Sequence, residues 1–139
     1  MTLTPLFAAV LGTSLAAMAL LPTAALAEDS QTFERIKVEA GAALFDASCR
    51  RCHATDASHE SYGPKLEGVI GRAAGSVEGY PYSKALKSAG FVWTEPALKA
   101  WMADNTGFVP GTKMRHVGIT DPVVEEFILA YLRVVPAAN

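Results

Sequence analysis

No charged side chain occurs in the first 27 residues of the sequence. The stretch Leu6–Leu21 is almost wholly apolar, but it falls short of the run of about 18 residues that a membrane-spanning helix needs, and Pro22 closes it. Ala25-Leu26-Ala27 then supplies the small-x-small pattern of a signal peptidase site. Residues 1–27 are therefore expected to be a cleaved signal peptide, and residues 28–139 the exported domain. Retention of the segment as a membrane anchor is the alternative, since no Lys or Arg precedes the apolar run.

A basic stripe is missing as well. The formal net charge is −2, with an acidic excess in residues 28–64 and near balance beyond. Nothing along the chain could neutralise a row of phosphates, so nucleic acid is excluded as a partner. No βαβ pattern, internal repeat or low-complexity tract occurs, and no segment reads as a credible strand. Cysteine is limited to two residues, Cys49 and Cys52.

What is present reads as helices joined by glycine-rich loops. Phe33, Ile36, Ala40, Leu44 and Phe45 recur at helical spacing and predict a helix over 32–48, with residues 28–31 polar and frayed. Gly41 inside that helix marks a close approach by another backbone. Residues 54–81 form a long loop punctuated by Gly63-Pro64, Gly68, Gly71, Gly75, Gly79 and Pro81. A loop of that length in a small domain needs a job, and wrapping a cofactor is one. Ser83 caps a short helix to about Ala89, and Thr94 starts another to about Asp104 with the stripe Ala97, Leu98, Trp101 and Met102. Residues 105–120 read as loop. Asp121-Pro122 starts the last helix, to about Val135, with Phe127, Ile128, Tyr131 and Leu132 as its buried stripe.

The chemistry concentrates in Cys49-Arg50-Arg51-Cys52-His53. This C-x-x-C-H pattern is read as a covalent c-type haem attachment site. Thiols three apart project from one side of a helical turn and can add to the two vinyl groups of one haem. His53 follows where a neutral imidazole can bind iron, with its other nitrogen donating to a carbonyl. The carbonyl of Pro64 is the expected acceptor. Three other readings compete. A thioredoxin-like redox pair belongs beside a βαβ pattern, which is missing. A structural zinc site wants four ligands, which would have to include His53 and His59. A plain disulfide would suit an exported chain.

A second iron ligand is sought downstream. Met102 lies on an apolar helical stripe and reads as core. Met114 sits in a loop after Pro110-Gly111-Thr112-Lys113 and is the expected distal ligand. His116 is its rival and would give bis-histidine ligation. His59 lies too few residues past His53 to reach the opposite face and reads as a solvated loop residue.

With those residues in place, the chain resembles the class I cytochromes c, nearest the mitochondrial and bacterial c2-type branch. The resemblance spans about Gly41 to Leu132. It rests on residues 49–53, on Pro110-Gly111-Thr112-Lys113-Met114, on Gly63-Pro64-x-Leu66-x-Gly68, on Gly71-Arg72, and on Ile128-Leu129-Ala130-Tyr131-Leu132. It implies an all-α fold of three to five helices and loops around one covalent haem c. It implies that Gly41 and Phe45 cross the last helix near Tyr131. Arg72, Tyr82 and Trp93 would surround the haem propionates, while Leu98 and Trp101 line the pocket. Trp101 stands where mitochondrial relatives have a tyrosine near the methionine sulfur; an indole can donate a hydrogen bond but not accept one. Leu86 replaces a buried asparagine, His116 an aromatic at the haem edge, and Ser48, Thr106 and Gly107 replace exposed lysines. The implied function is a monomeric periplasmic one-electron carrier, not an enzyme. It would run between a quinol-oxidising cytochrome complex and a terminal oxidase or reaction centre, with no small-molecule substrate. A peroxidase-like protein and a gas sensor are the rival readings, and both need Met114 to leave the iron.

Overall fold

A computed structural model describes residues 23–54 and 62–136, with side chains from Glu28 onward. His59 and nearly all of the expected signal peptide lie outside the described residues. Among the described residues five helices occur in order: α1 Thr23–Ser48, α2 Lys84–Lys87, α3 Glu95–Ala103, α4 Asn105–Phe108 and α5 Pro122–Val134. Among the described residues there is no strand, only an isolated bridge between Ala73 and Val92. None of these helices is long and apolar enough to cross a membrane.

The helix starts follow local capping chemistry. Ser83 Oγ accepts from Leu86 N at 3.1 Å, Thr94 Oγ1 from Ala97 N at 3.3 Å, and Asp121 Oδ1 from Val123 N at 2.8 Å. Each side-chain oxygen satisfies a backbone N–H that the first helical turn leaves unpaired.

Three expectations are corrected. Helix α1 is already formed at Thr23, the first described residue, rather than starting near residue 32, and no glycine or proline interrupts it before Gly41. Its forward stripe is not buried: Phe33 and Ile36 are 57% and 50% exposed. At about 1.5 Å per residue α1 is about 39 Å long and α5 about 20 Å, so the first turns of α1 overhang their partner. Within 105–120, read as loop, α4 forms on Asp104, whose Oδ1 accepts from Gly107 N at 2.8 Å and from Thr106 Oγ1 at 2.9 Å. On α5 the most buried side chains are Leu129 and Ile128, while Phe127 and Tyr131 are only half-buried. The helix lies between α1 and the interior, so its apolar face is wider than one stripe.

The crossing of α1 and α5 organises the molecule. A Cβ on Gly41 would lie 1.9 Å from the Phe127 carbonyl oxygen; only glycine lets the two backbones approach this closely. Next to it Phe45 is 1% exposed, with its ring 5.2 Å from that of Tyr131. Burying Phe45, Ile128 and Leu129 contributes about 1.5–3 kcal/mol each. Helix α3 is clamped to α5 from outside by Arg133, which donates to both Glu95 oxygens at 2.7 Å and to Glu126 at 3.0 Å. These pairs are exposed and add little stability, but they fix the bearing of α3, which carries Trp101.

Candidate haem site

The end of α1 runs directly into the C-x-x-C-H turn. His53 N and Cys52 N both donate to Cys49 O, at 2.9 and 3.0 Å, so the turn closes on the first cysteine. Cys49, Cys52 and His53 thereby face one largely apolar cavity of about 390 Å³. That volume falls in the range of about 300–1,000 Å³ typical of small-molecule and cofactor sites.

His53 is 8% exposed, and its Nδ1 lies 2.7 Å from Pro64 O. A carbonyl can only accept, so Nδ1 carries the proton and Nε2 keeps its lone pair. Burial pushes the imidazole below its ordinary pKa, against the opposing pull of the Pro64 hydrogen bond. The ring therefore stays neutral, the form that binds a metal. Gly63 makes this possible: a Cβ there would sit 2.3 Å from His53 Cε1.

Met114 lines the same cavity. Trp101 Nε1 donates to its Sδ at 3.0 Å, and Asn105 Nδ2 donates to its carbonyl at 2.9 Å. The indole thus makes a hydrogen bond to the sulfur in place of the tyrosine of the mitochondrial proteins. A thioether sulfur has two lone pairs, so one stays available.

Every site residue singled out from the sequence lines this cavity: Pro64, Arg72, Tyr82, Trp93, Leu98 and Trp101 join the cysteines, His53 and Met114. Arg72 is partly committed, donating to Glu67 O at 3.1 Å and Lys65 O at 2.8 Å. Those bonds use two of the five guanidinium N–H groups. Trp93 packs edge-on against both Phe91 and Trp101.

The thioredoxin-like reading of the cysteine pair finds no support, since no strand for a βαβ unit occurs among the described residues. Burial pushes the Cys49 thiol up to about 11, far from the thiolate a redox nucleophile needs. The zinc reading turns on His59, which lies outside the described residues; among those described, no group of three or more His, Cys, Asp or Glu could hold a metal.

Residues 38–133 match the family model described as Cytochrome c. The chain belongs to the cytochrome c family. It is 38% identical over 85 residues to cytochrome c2 iso-2 of Magnetospirillum fulvum, covering 61% of this chain and 88% of that protein. It is 42% identical over 96 residues to cytochrome c-550 of Nitrobacter winogradskyi, covering 68% of this chain and 87% of that one. Among solved structures, cytochrome cH from Methylobacterium extorquens superimposes with a TM-score of 0.62 at 42% identity, covering 69% of this chain and 96% of that chain. As a cytochrome c the chain is an electron carrier with one covalent haem c, not an enzyme. The cavity fits that group: apolar walls, a neutral imidazole, a thioether and two thiols all face inward.

Two contributors are not evident from the sequence. Arg50, inside the haem motif, donates to Glu67 Oε1 at 2.8 Å, to Tyr131 Oη at 3.0 Å and to His53 O at 3.3 Å. It also stacks over Phe45, 4.6 Å from the ring centroid. One guanidinium thus ties the attachment turn to α1, α5 and the loop that presents Pro64. Asn105, 3% exposed, holds Met114 through its carbonyl. The only sequence signal was a charge at a motif position and a polar residue in a capped turn.

Burial alone would raise the Glu67 carboxyl, but the hydrogen bond and charge of Arg50 outweigh it and hold the group below the usual carboxylate range. A depressed carboxyl adds stability above its ordinary pKa and loses it as pH falls. In Arg50→Met the carboxylate is left buried and unpaired. The holoprotein should lose about 3 kcal/mol at neutral pH, the low end for a broken buried pair, because the Arg50 side chain keeps 24% exposure. With its pKa now raised, Glu67 should return part of that deficit as pH is lowered toward about 5. Denaturant midpoints at the two pH values check this; a deficit that stays constant or grows on acidification contradicts it.

Proposed function

We propose that this cytochrome c is a periplasmic, monomeric carrier that shuttles single electrons between a quinol-oxidising cytochrome complex and a terminal oxidase or photosynthetic reaction centre. Residues 1–27 would direct export and then be cleaved. Cys49 and Cys52 would attach the haem through thioethers, with His53 and Met114 as its axial ligands.

The observation that carries the reading is that both candidate ligand atoms reach one cavity already oriented by a separate hydrogen bond: His53 from Pro64 and Met114 from Trp101. When bound, the haem supplies a one-electron iron couple. The chain holds both ligands in place through that change. Its apolar walls exclude water and limit reorganisation, and methionine–histidine ligation with burial favours the reduced state. If His53 and Met114 both held the iron, no position would be left for a substrate, which would separate a carrier from a peroxidase-like protein.

Arg72, Tyr82 and Trp93, which line the cavity, would supply donors to carboxylates carried by the cofactor, groups that would be costly to bury without them. Lys84, Lys87, Lys113 and Arg115 are exposed, and Lys113 and Arg115 also border the cavity. They offer a modest positive surface for an acidic docking partner.

The test is spectroscopic. Oxidised wild-type protein should show the weak sulfur-to-iron charge-transfer band of methionine ligation. Met114→Ala should lose that band and have a lower midpoint potential. A band and potential unchanged in the variant would remove Met114 from the iron.

A further inference from the structure

Among the described residues, two buried side-chain polar atoms lack a hydrogen-bond partner, Glu67 Oε2 and His116 Nδ1. The first belongs to a carboxylate already paired with Arg50. The second belongs to a ring that the function above does not use. A buried ring nitrogen without a partner costs free energy and calls for an explanation.

His116 lies two residues past Met114 and lines the same cavity, which His53 and both cysteines also face. The loop that carries it is held on either side. Asn105 holds the Met114 carbonyl at 2.9 Å, and Ile119 N donates to Met102 O at 2.8 Å. Between these anchors, residues 115–118 make no hydrogen bond to any described residue. A stretch tied only at its ends is the part of a loop that rearranges at least cost.

We propose that His116 is a reserve axial ligand, placed to take the iron position of Met114 when the thioether is displaced or lost. The inference rests on the reading of Met114 as the resident ligand. The exchange moves no electron and no proton: one donor bond from sulfur breaks, and one from the lone pair of a neutral imidazole nitrogen forms. Methionine is favoured at rest because Trp101 and Asn105 hold its sulfur and its carbonyl, whereas no hydrogen bond from a described residue holds Nδ1 of the His116 ring. The consequence is protective. Opening of the methionine loop exchanges one protein ligand for another and leaves no free position where a peroxide could bind.

The test compares four ferric holoproteins: wild type, Met114→Ala, His116→Gln and the double variant. His116→Gln should keep the sulfur-to-iron band. Met114→Ala should lose it yet stay low-spin, with the electron paramagnetic resonance signature of two imidazoles. The double variant should be high-spin. If the imidazole holds the position about nine-tenths of the time, cyanide should bind Met114→Ala with an apparent affinity about tenfold weaker than the double variant. A high-spin Met114→Ala with the cyanide affinity of the double variant overturns the proposal. A low-spin double variant also overturns it, because another side chain would then be the reserve. A sulfur band that survives in Met114→Ala is a separate result: it removes Met114 as resident ligand and the proposal falls with it. Should Met114→Ala not accumulate with haem, Met114→Leu, closer in volume, serves in the same comparison.

Discussion

Replacing both Cys49 and Cys52 by alanine should yield, from a haem-competent host, a chain that carries no haem through denaturing electrophoresis and has lost most of its helical circular dichroism. The magnitude follows from the cavity. Left without its filling, about 390 Å³ of largely apolar space would keep its walls in contact with water, forfeiting about 25 cal/mol for every Å² left exposed. The whole stability of a domain this size is only about 5–15 kcal/mol. The cavity walls include Phe45, Trp101, Ile128 and Leu132, which come from α1, α3 and α5, so loss of the filling removes contacts from all three helices together. Cofactor attachment and folding are therefore one event, and binding free energy appears as folding free energy. A colourless double variant with native helix content and a cooperative unfolding transition would refute this.

Gly41→Ala should destabilise the holoprotein by about 2 kcal/mol even though alanine is the better helix former. Two effects oppose. Helix propensity favours alanine by about 1 kcal/mol. Against it stands a Cβ 1.9 Å from Phe127 O, 2.7 Å from Phe127 C and 3.1 Å from Tyr131 Cβ. The nearest neighbours are backbone atoms of α5, which cannot turn aside as a side chain can. Overpacking of this kind costs about 3 kcal/mol, the upper part of its usual range. Relief requires α1 and α5 to move apart, which loosens the packing of Phe45 on Tyr131 and shifts Arg50, which reaches both helices. Gly41→Val should cost more. Denaturant unfolding of the two variants measures the effect; an alanine variant as stable as wild type would show that the crossing has slack.

The parts legible in the sequence were those set by short-range chemistry. The C-x-x-C-H spacing, the caps at Ser83, Thr94 and Asp121, and the stripe of α3 each depend on residues within about one helical turn of one another. Gly41 announced a close approach because a glycine within a helix has a cost that must be offset elsewhere. The pattern placed the end of α1 correctly but its start too late, since the helix already covers Thr23 and polar residues 28–31 carry no hydrophobic period. It passed over α4 because four residues have none either. It placed Phe127 in the core where the structure puts Leu129, since the width of a buried face depends on how many partners surround the helix.

The site divides in the same way. Local pattern named His53, Pro64 and Met114 as individual residues. It could not pair Arg50 with Glu67, 17 residues on, or with Tyr131, 81 residues on. Nor could it show that the Trp101 indole reaches the Met114 sulfur.

The sequence by itself determined the chemistry: two thiols and an imidazole in a fixed order, a loop methionine, and helices whose caps and periods are written within a turn or two of chain. Only the tertiary structure decided which side chains hold those groups in place and that His116 lines the same cavity as Met114. The reason is physical. Spacing along the chain constrains geometry over about one turn, whereas the distance between residues far apart in sequence is set by the packing of α1 on α5 and of α3 beside them.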